Sequence, residues 1–402
     1  MHKKKTIRFM LVRHGISTSN LEHRLVGWED VDLSPEGIAQ LKEYKNTVKY
    51  LDVDRFYCSD LLRARKTFDL LFSDQYQIYR TEKGLREVHF GFFDGATQAD
   101  NQKHDYYNKW LENIRQQDEE TIVDFIERVN LTFKEIALEC LHDDIEKVGI
   151  VLHEGSIKCI LMNLLNIEHR CYPLIRFGNG LGIIIDVEVS EDELKLVRKE
   201  YIRKPGSFNL SVVRHGISKA NDENRFVGWT DVPLAKSGIE ELKRYRNMIQ
   251  YPDVERYYCS DLLRAKQTYE ILFGDQGKEC IYTEGFRENY YGSYEDIPTG
   301  PKVREYFELW IKQVDLGGEE KLPAFQNRIA KALHEAINQS IHDGLNSCGI
   351  VAHAGVLKII YLHLANRQLE KWGDIRVQNG LGFNFYLEII DGTPKIITSD
   401  LI

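Results

Sequence analysis

The amino-acid sequence predicts two tandem three-layer α/β/α domains, each with a mostly parallel sheet flanked by helices. First, the 402-residue chain repeats itself: Arg13-His14-Gly15-Ile16 recurs 201 residues later as Arg214-His215-Gly216-Ile217. Second, short apolar runs alternate with helical patterns in each copy, which is typical of a parallel sheet covered by helices. A repeat of this length is too long for a solenoid unit, so each copy can bury its own core.

The repeat extends through both halves at an offset of 200 or 201 residues. The further matched landmarks are Val26-Gly27-Trp28 with Val227-Gly228-Trp229, Tyr57–Ala64 with Tyr258–Ala265, Arg86-Glu87 with Arg287-Glu288, Trp110 with Trp310, and Asn179–Gly182 with Asn379–Gly382. The main breaker cluster between the copies is Lys204-Pro205-Gly206-Ser207. We therefore expect one domain over residues 1–204 and a second over residues 205–402.

In the first copy, short apolar runs predict strands and the 3.6-residue periodicity predicts helices. The predicted strands are Thr6–Val12, Arg55–Cys58 and Val148–Leu152, and the predicted helices are Gly37–Tyr50, Leu61–Phe72, Glu119–Leu141 and Ser156–Leu165. Ser34 is the expected N-cap of the first of these helices, with Pro35 at its first position. A hairpin of Gly182–Val189 with Lys195–Tyr201 is expected to close the copy.

The second copy repeats this order. Its predicted strands are Asn209–Val213 and Gly349–Ala352, its predicted helices include Glu319–Ile341 and Val356–Leu364, and its closing hairpin pairs Phe383–Ile389 with Lys395–Ile397. The dipeptide Asp391-Gly392 lies between these last two strands and is a strong signal for a tight hairpin turn. In both copies, the Arg-His-Gly, Ser-Asp-Leu-Leu-Arg and His-x-Gly segments follow predicted strands. Ligands of open α/β sheets bind beyond the carboxyl ends of the strands, so these segments are expected to converge.

The residues at these strand ends suit chemistry on a phosphate monoester. Cleaving such a dianion requires cationic donors around its oxygens, an in-line nucleophile, and an acid for the leaving oxygen. The first half offers Arg13, Arg63 and His153 as donors, His14 as nucleophile and Glu87 as acid. The second half offers Arg214, Arg264, His353, His215 and Glu288 in the same roles. Each residue alone could be structural, but the recurrence of the whole set favours a site.

Composition limits the alternatives. A net charge of −9 argues against a nucleic-acid-binding protein. The apolar stretch after Lys3-Lys4-Lys5 is interrupted by Arg8, so neither a secretion signal nor a membrane span is expected. Seven cysteines show no close CxxC pair, and Cys58 and Cys259 are predicted to be buried in strands. This cysteine pattern suggests neither a disulfide framework nor a zinc site, and we expect a cytoplasmic protein.

The motifs together resemble the histidine phosphatase superfamily, which has the phosphoglycerate mutase-like fold. They are Arg13-His14-Gly15-x-Ser17-x-x-Asn20, Gly27-Trp28-x-Asp30-x-x-Leu33, Ser59–Ala64, Leu85-Arg86-Glu87 and His153-x-Gly155, with matches in the second half. The phosphatase branch that includes α-ribazole phosphatase is the most similar. Phe90-Gly91 after Glu87 in the first half, and Gly317-Gly318-Glu319 before Phe325-x-x-Arg328 in the second, add to that likeness.

The resemblance implies a phosphohistidine mechanism without a metal or cofactor. His14 and His215 would accept the phosphoryl group while neutral, with one ring nitrogen fixed by a hydrogen bond to nearby backbone. The groups that would cradle the phosphoryl oxygens are Arg13, Asn20, Arg63 and His153 in the first half, and Arg214, Asn221, Arg264 and His353 in the second. Glu87 and Glu288 would protonate the leaving oxygen and then activate water.

Three departures from the family pattern put equal activity of the two halves in question. Ile16 and Ile217 follow Arg-His-Gly where family members usually have an acidic residue. The residue after the second histidine is usually glycine, but here it is Glu154 or Ala354. We expect the Glu154 carboxylate to point away from the phosphate or to contact the leaving group. The first half also shows Gln117-Asp118-Glu119 in place of Gly-Gly-Glu.

The leading hypothesis is a phosphatase with a site in each half, acting on a small phosphorylated metabolite. Alternatives are one catalytic half with one regulatory half, a phosphate-binding module without turnover, and a phosphoglycerate mutase. Val88-His89-Phe90-Gly91 stands where mutases of this fold have Arg-His-Tyr-Gly, and no later arginine pair follows. Substrate choice is expected to depend on the variable segments 92–117 and 293–317. The equal lengths of the copies suggest an internal pseudo-dimer.

Overall fold

A computed structural model describes residues 3–76, 78–97, 101–366 and 375–402, with the backbone alone for residues 101–105. The chain divides into two compact units, Met1–Pro205 and Gly206–Ile402. Whether each unit is an independent domain, and whether the two form a pseudo-dimer, stay predictions. None of the helices within the described residues is both long enough and apolar enough to span a membrane.

The first unit contains one six-stranded sheet with helices between its strands. The strands are β1 Lys4–Arg13, β2 Arg55–Cys58, β3 Arg80–Thr81, β4 Lys147–Leu152, β5 Gly182–Ser190 and β6 Leu194–Ile202. The helices are α1 Thr18–Leu21, α2 Pro35–Thr47, α3 Leu62–Leu71, α4 Asn101–Leu111, α5 Ile122–His142 and α6 Glu154–Leu165. The strand order is β3-β2-β4-β1-β5-β6, with β3, β2, β4 and β1 parallel and the β5–β6 hairpin antiparallel. The predicted mostly parallel sheet is confirmed.

Neighbouring residues of β2 show that helices cover both faces of this sheet. Successive side chains of a strand point to opposite faces. The ring of Phe56 packs on Phe68 of α3, with centroids 5.0 Å apart. The hydroxyl of Tyr57 lies 3.7 Å from the sulfur of Cys140 on α5. Since α3 and α5 therefore cover opposite faces, the unit has three layers, as predicted.

The second unit repeats the architecture. Its strands are β7 Phe208–Arg214, β8 Arg225–Phe226, β9 Arg256–Ser260, β10 Cys280–Thr283, β11 Ile297–Pro298, β12 Ser347–Ala352, β13 Gly382–Ile390 and β14 Thr393–Leu401. Its helices are α7 Lys219–Asp222, α8 Lys236–Met248, α9 Leu263–Phe273, α10 Pro301–Ile311, α11 Leu322–His342 and α12 Ala354–Leu364. The six-stranded sheet has the order β10-β9-β12-β7-β13-β14, and β8 pairs with β11 separately. The β13–β14 turn occurs at Asp391-Gly392, whose φ angles are 48° and 75°, as a tight hairpin requires.

Most predicted elements are present, with shifted ends. Ser34 caps α2 as predicted, because its hydroxyl accepts from the Gly37 N–H at 3.0 Å. The predicted start of α5 at Glu119 is wrong: the helix begins at Ile122, and Thr121 is its N-cap. Glu119 lies in the preceding loop, where its buried carboxylate accepts from the N–H groups of Gln116 and Gln117. Cys58 and Cys259 are fully buried, as expected.

Candidate active site

The register of β1 and β4 brings the two histidines of the first unit together. Arg13 lies opposite Leu152 in this parallel pair, so the next residues, His14 and His153, leave the sheet side by side. Their ring centroids are 5.1 Å apart. In the second unit, Arg214 lies opposite Ala352, and the rings of His215 and His353 are also 5.1 Å apart.

The ring of His14 is held in one orientation by the backbone. Its Nδ1 lies 2.7 Å from the carbonyl oxygen of Gly15, which can only accept a hydrogen bond. Nδ1 therefore carries the proton, and the lone pair of the neutral ring is on Nε2. Burial, reinforced by the positive charges of Arg63 and Arg13, lowers the pKa of His14 well below its usual value of 6.5. The imidazole is therefore neutral at neutral pH, as a nucleophile requires.

Two side chains outside the predicted set fix the loop that carries this ring. The Gly15 N–H donates to Thr67 Oγ1 at 2.9 Å. Asn179 Nδ2 donates to the carbonyl oxygens of His14 and Gly15 at 3.0 and 3.2 Å. The second unit has the same bonds around its own histidine. The Gly216 N–H donates to Thr268 Oγ1 at 2.9 Å, and His215 Nδ1 donates to the Gly216 carbonyl oxygen at 2.7 Å. Asn379 Nδ2 donates to the carbonyl oxygens of His215 and Gly216 at 2.9 and 3.2 Å. Burial, reinforced by Arg264 and Arg214, also lowers the pKa of His215 well below its usual value.

Arg63 is a buried cation in the first turn of α3, with only 2% of its surface exposed. Its Nη1 donates to the carbonyl oxygen of Glu29 at 3.0 Å, and its Nη2 donates to that of Gly27 at 2.7 Å. Burial lowers the pKa of the guanidinium, and the negative charge of Glu87 opposes that effect. Arg264 makes the equivalent bonds to Thr230 O (3.1 Å) and Gly228 O (2.6 Å). The glycine of the recurring Val-Gly-Trp segment has its own reason, because a Cβ would lie 1.9 Å from Val88 O at residue 27 and 2.0 Å from Asn289 O at residue 228.

Arg13 has different surroundings from its counterpart Arg214. Its Nη1 donates to the carbonyl oxygen of Phe177 at 2.5 Å and lies 2.9 Å from a carboxylate oxygen of Glu154. Arg214 keeps the backbone bond, to Val377 O at 2.6 Å, but Ala354 offers it no carboxylate. Glu154 therefore contacts a predicted phosphate-binding arginine instead of pointing away from it, and a contact with the leaving group stays a prediction. In both arginines the buried Nε finds no hydrogen-bond partner among the described residues.

His153 is fully buried and retains one unused ring nitrogen. Its Nε2 lies 2.8 Å from the hydroxyl oxygen of Ser59, the residue that follows β2. Its Nδ1 has no partner within the described part of the chain. Burial, together with the charges of Arg63 and His14, lowers the pKa of this ring well below 6.5. His353 and Ser260 reproduce the bond at 2.8 Å, and the Nδ1 of His353 is likewise unpaired within the described residues.

Glu87 is seated against a glycine that has no room for a side chain. Its carboxylate accepts from the N–H groups of Val88 and Gly155, at 3.0 and 3.1 Å. A Cβ atom at residue 155 would lie 2.0 Å from Glu87 Oε1 and 2.4 Å from the Tyr172 hydroxyl. Glu288 accepts in the same way from Asn289 N and Gly355 N, both at 3.0 Å.

Asn20 caps the short helix α1 and reaches the same loop through Asn179. Its Oδ1 accepts from the Ser17 N–H at 3.1 Å and lies 3.2 Å from Asn179 Nδ2. A phosphate oxygen accepts hydrogen bonds, so the only side-chain group of Asn20 that could bind it is the Nδ2 amide. In the second unit, Asn221 Oδ1 accepts from the N–H (3.1 Å) and the hydroxyl (3.0 Å) of Ser218.

A layer of matched side chains behind the site was not predicted. Trp28 Nε1 donates to the carbonyl oxygen of Glu87 at 2.9 Å, and the Arg86 guanidinium lies 4.9 Å from the Trp28 ring. Arg128 donates to the carbonyls of Arg86 and Glu87 and forms an ion pair with Glu120. Their counterparts make the same contacts in the second unit: Trp229, Arg287, Arg328 and Glu320. The sequence signal that could have identified these side chains is their recurrence in both copies.

The aromatic side chains of the variable segments and of the two Val-Gly-Trp motifs differ in their exposure. Tyr106 and Tyr306 are fully buried and belong to the packing of their units, whereas Phe92 is 68% exposed. Trp28 and Trp229 are half-buried against the arginines behind the site. Within the variable segment 92–117, residues 98–100 lie outside the described residues.

Both halves of the chain match a known protein family in sequence. The profile of the histidine phosphatase superfamily (branch 1) matches residues 9–200 and again residues 210–394. A 2,3-bisphosphoglycerate-dependent phosphoglycerate mutase of Gloeobacter violaceus is 29% identical over 174 residues, which is 40% of this chain and 79% of the relative. A broad-specificity phosphatase of Saccharomyces cerevisiae is 27% identical over 190 residues, which is 46% of this chain and 82% of the relative.

Solved structures of similar proteins each match about half of the chain. The α-ribazole phosphatase of Shigella flexneri matches with a TM-score of 0.40 and 21% identity, covering 47% of this chain and 94% of that structure. A phosphoglycerate mutase of Bacillus anthracis matches with a TM-score of 0.41 and 19% identity, covering 48% of this chain and 92% of that structure.

Proposed function

Because this chain belongs to the histidine phosphatase superfamily (branch 1), we propose that it hydrolyses a small phosphomonoester through a phosphohistidine, with one site in each unit. The nucleophile would be Nε2 of His14 in the first unit and of His215 in the second. The observation that carries the proposal is the state of these rings. Each is buried, neutral, bonded through Nδ1 to a backbone carbonyl, and close enough to two arginines for their charges to lower its pKa.

In the first step, Nε2 of His14 attacks phosphorus and the bond to the leaving oxygen breaks. The developing negative charge on the phosphoryl oxygens needs donors that are already in place. Arg13, Arg63 and His153 are suited to this role because burial and hydrogen bonds fix them before substrate arrives. Asn20 is an additional donor through Nδ2. The second unit would use its counterparts Arg214, Arg264, His353 and Asn221.

Glu87 would act first as an acid and then as a base. Its carboxyl proton passes to the leaving oxygen while the N–P bond forms. In the second step the carboxylate takes a proton from water, whose oxygen attacks phosphorus as the N–P bond breaks. Phosphate then leaves, and His14 and Glu87 return to their starting states. In the second unit Glu288 accepts the equivalent hydrogen bond from the Gly355 N–H, and we assign it the same role.

The proposal is tested by trapping the intermediate. Rapid acid-free quenching during turnover of a ³²P-labelled phosphomonoester should leave a label that is stable in base and labile in acid, as a phosphohistidine is. Peptide mapping should place the label on His14 and His215. A stable phosphoserine-type label, or none under conditions of rapid phosphate release, would contradict the proposal.

A phosphoglycerate mutase activity is the second candidate, because one of the similar proteins carries that name. The two activities differ in the acceptor of the phosphoryl group. A hydrolase releases inorganic phosphate at the rate at which substrate disappears, whereas a mutase returns the phosphoryl group to a phosphoglycerate. Measuring both products with 3-phosphoglycerate and with a panel of phosphorylated metabolites separates them. We expect stoichiometric phosphate release and no conversion of 3-phosphoglycerate to its isomer.

The glycine beside the acid provides a further prediction. In a His14→Ala background, Gly355→Ala is expected to lower kcat at least about tenfold, because small displacements of a catalytic group are costly. The added Cβ would lie 2.2 Å from Glu288 Oε1, so the carboxylate must move. Gly274→Ala is the matched control, since its φ of −62° suits alanine and a Cβ there meets only the exposed, flexible side chain of Glu270. Equal kcat for the two variants would argue against Glu288 as the acid.

A further inference from the structure

The two proposed sites differ by one carboxylate beside the arginine that is expected to bind phosphate. Arg13, Arg63, Glu87 and Lys158 all have identical counterparts in the second copy, but Glu154 is replaced by Ala354. We propose, on the basis of the function proposed above, that Glu154 is a positioning residue that makes the first site the weaker of two phosphate sites. The second site, which lacks this carboxylate, would bind phosphate and phosphomonoesters more tightly.

Glu154 contacts the arginine that is expected to bind the phosphoryl group. It is the first residue of α6, directly after His153. One of its carboxylate oxygens lies 2.9 Å from Arg13 Nη1, and the other lies 3.1 Å from Nζ of Lys158, one turn along the helix. Nη1 of Arg13 also donates to the Phe177 carbonyl, so this end of the guanidinium is fully occupied. Within the described part of the chain, the guanidinium nitrogens left for a ligand are Nη2 and the unpaired Nε.

The carboxylate is charged throughout the physiological pH range. Burial alone would raise the pKa of Glu154, but Arg13, Lys158 and Arg176 together lower it to about 2. Its negative charge therefore opposes the arrival of a phosphate dianion at Arg13. Lys158 does not distinguish the sites, because Lys358 occupies the matching position in the second unit.

A difference in phosphate affinity would let the two units work at different concentrations of substrate and of phosphate. The first site would release inorganic phosphate quickly and remain active when phosphate accumulates. The second site would capture substrate at lower concentration and would be inhibited sooner by its product. Close charge pairs at desolvated sites change affinities by roughly tenfold or more, so the difference should be measurable.

The test uses inorganic phosphate as the probe and the full-length chain. Calorimetric titration of the wild-type protein should resolve two classes of site whose dissociation constants differ by about tenfold. Ala354→Glu, which places a carboxylate one turn before Lys358, should weaken the tighter class to the level of the other. Glu154→Gln, which keeps the size of the side chain and removes its charge, should strengthen the weaker class. Glu36→Gln removes one negative charge from an exposed position of α2 and should change neither class.

Competitive inhibition by phosphate assigns each class to its unit. In a His215→Ala background only the first site would turn over, and in a His14→Ala background only the second. The inhibition constant should be about tenfold higher in the first case. A single class in the wild type, the reverse order, or an Ala354→Glu variant with unchanged affinity would overturn this inference. Two classes without any phosphatase turnover would instead overturn the proposed function and leave the inference standing.

Discussion

A His14→Ala/His215→Ala double variant is expected to lose at least about 10²-fold in phosphomonoester hydrolysis, a typical effect of removing a catalytic group. Each histidine offers an unprotonated Nε2 because its Nδ1 donates to the backbone carbonyl of the next residue. Alanine leaves the arginines in place but removes the atom that would bond to phosphorus. The measurement is kcat/KM for a reactive phosphomonoester, such as p-nitrophenyl phosphate.

The two single variants should each retain the activity of the intact unit. His14→Ala should lose less activity than His215→Ala at low substrate concentration, because the second site lacks the Glu154 carboxylate. If His14→Ala alone abolished turnover, the second unit would be noncatalytic and its pocket would serve only to bind phosphate. If the double variant kept turnover, neither ring would be the nucleophile.

The matched control is His142→Ala/His342→Ala. These histidines occupy equivalent positions at the ends of α5 and α11, and both are exposed. Their removal should leave kcat/KM unchanged. Circular dichroism and thermal unfolding of both double variants show whether a loss of activity has a local cause.

The fold and the principal site geometry could be predicted because they depend on strand order and local pattern. His14 and His153 follow strands that end at the same edge, so the α/β alternation alone was enough to expect them to be neighbours. The family resemblance also implied a hydrogen bond between one ring nitrogen and nearby backbone, and Nδ1 of His14 makes such a bond to the Gly15 carbonyl oxygen. The start of α5 was predicted incorrectly. Glu119 fits the helical periodicity, but its carboxylate accepts hydrogen bonds from backbone N–H groups of the preceding loop.

Contacts between distant segments could not be derived from the sequence pattern. Whether Glu154 faces Arg13 depends on where the loop at Phe177 holds the guanidinium. Thr67 and Asn179, which fix the His14 loop, have ordinary local contexts. The comparison of the copies matched Asn179 with Asn379, and Thr67 recurs 201 residues later as Thr268, but recurrence alone does not show which bonds these side chains make.

The buried histidines also predict a steep loss of stability in mild acid. His14, His153, His215 and His353 are each held with a pKa well below 6.5, chiefly by burial. In the unfolded chain the same residues have the ordinary value of about 6.5. Below that pH the unfolded chain binds protons that the folded chain does not, so protonation favours unfolding. The stability that these rings confer is present above about pH 6.5 and is lost as the pH falls.

The expected slope follows from the number of protons involved. One proton taken up on unfolding changes the free energy of unfolding by about 1.4 kcal/mol per pH unit. Each unit contains two such histidines, so the free energy of unfolding of one unit should fall by about 2 to 3 kcal/mol per pH unit between pH 6 and 5. Carboxylates such as Glu154, with a folded pKa of about 2, contribute little above pH 5, because the unfolded group begins to bind protons only near its ordinary pKa of about 4.3. Urea unfolding at pH 7.5, 6.5 and 5.5, in buffers free of phosphate, measures the effect.

Substituting two of the four rings separates this mechanism from general acid sensitivity. His153→Gln/His353→Gln keeps a polar side chain beside Ser59 and Ser260 but cannot take up a proton. The variant should be less stable at pH 7.5, and its loss of stability per pH unit should be about half that of the wild type, because one titrating ring remains in each unit. A wild-type stability that stays constant from pH 7.5 to 5.5 would mean that these rings bind protons equally in the folded and unfolded chain. With an ordinary pKa of about 6.5, each nucleophile would be partly protonated near neutral pH, and the claim that burial holds it neutral would fail.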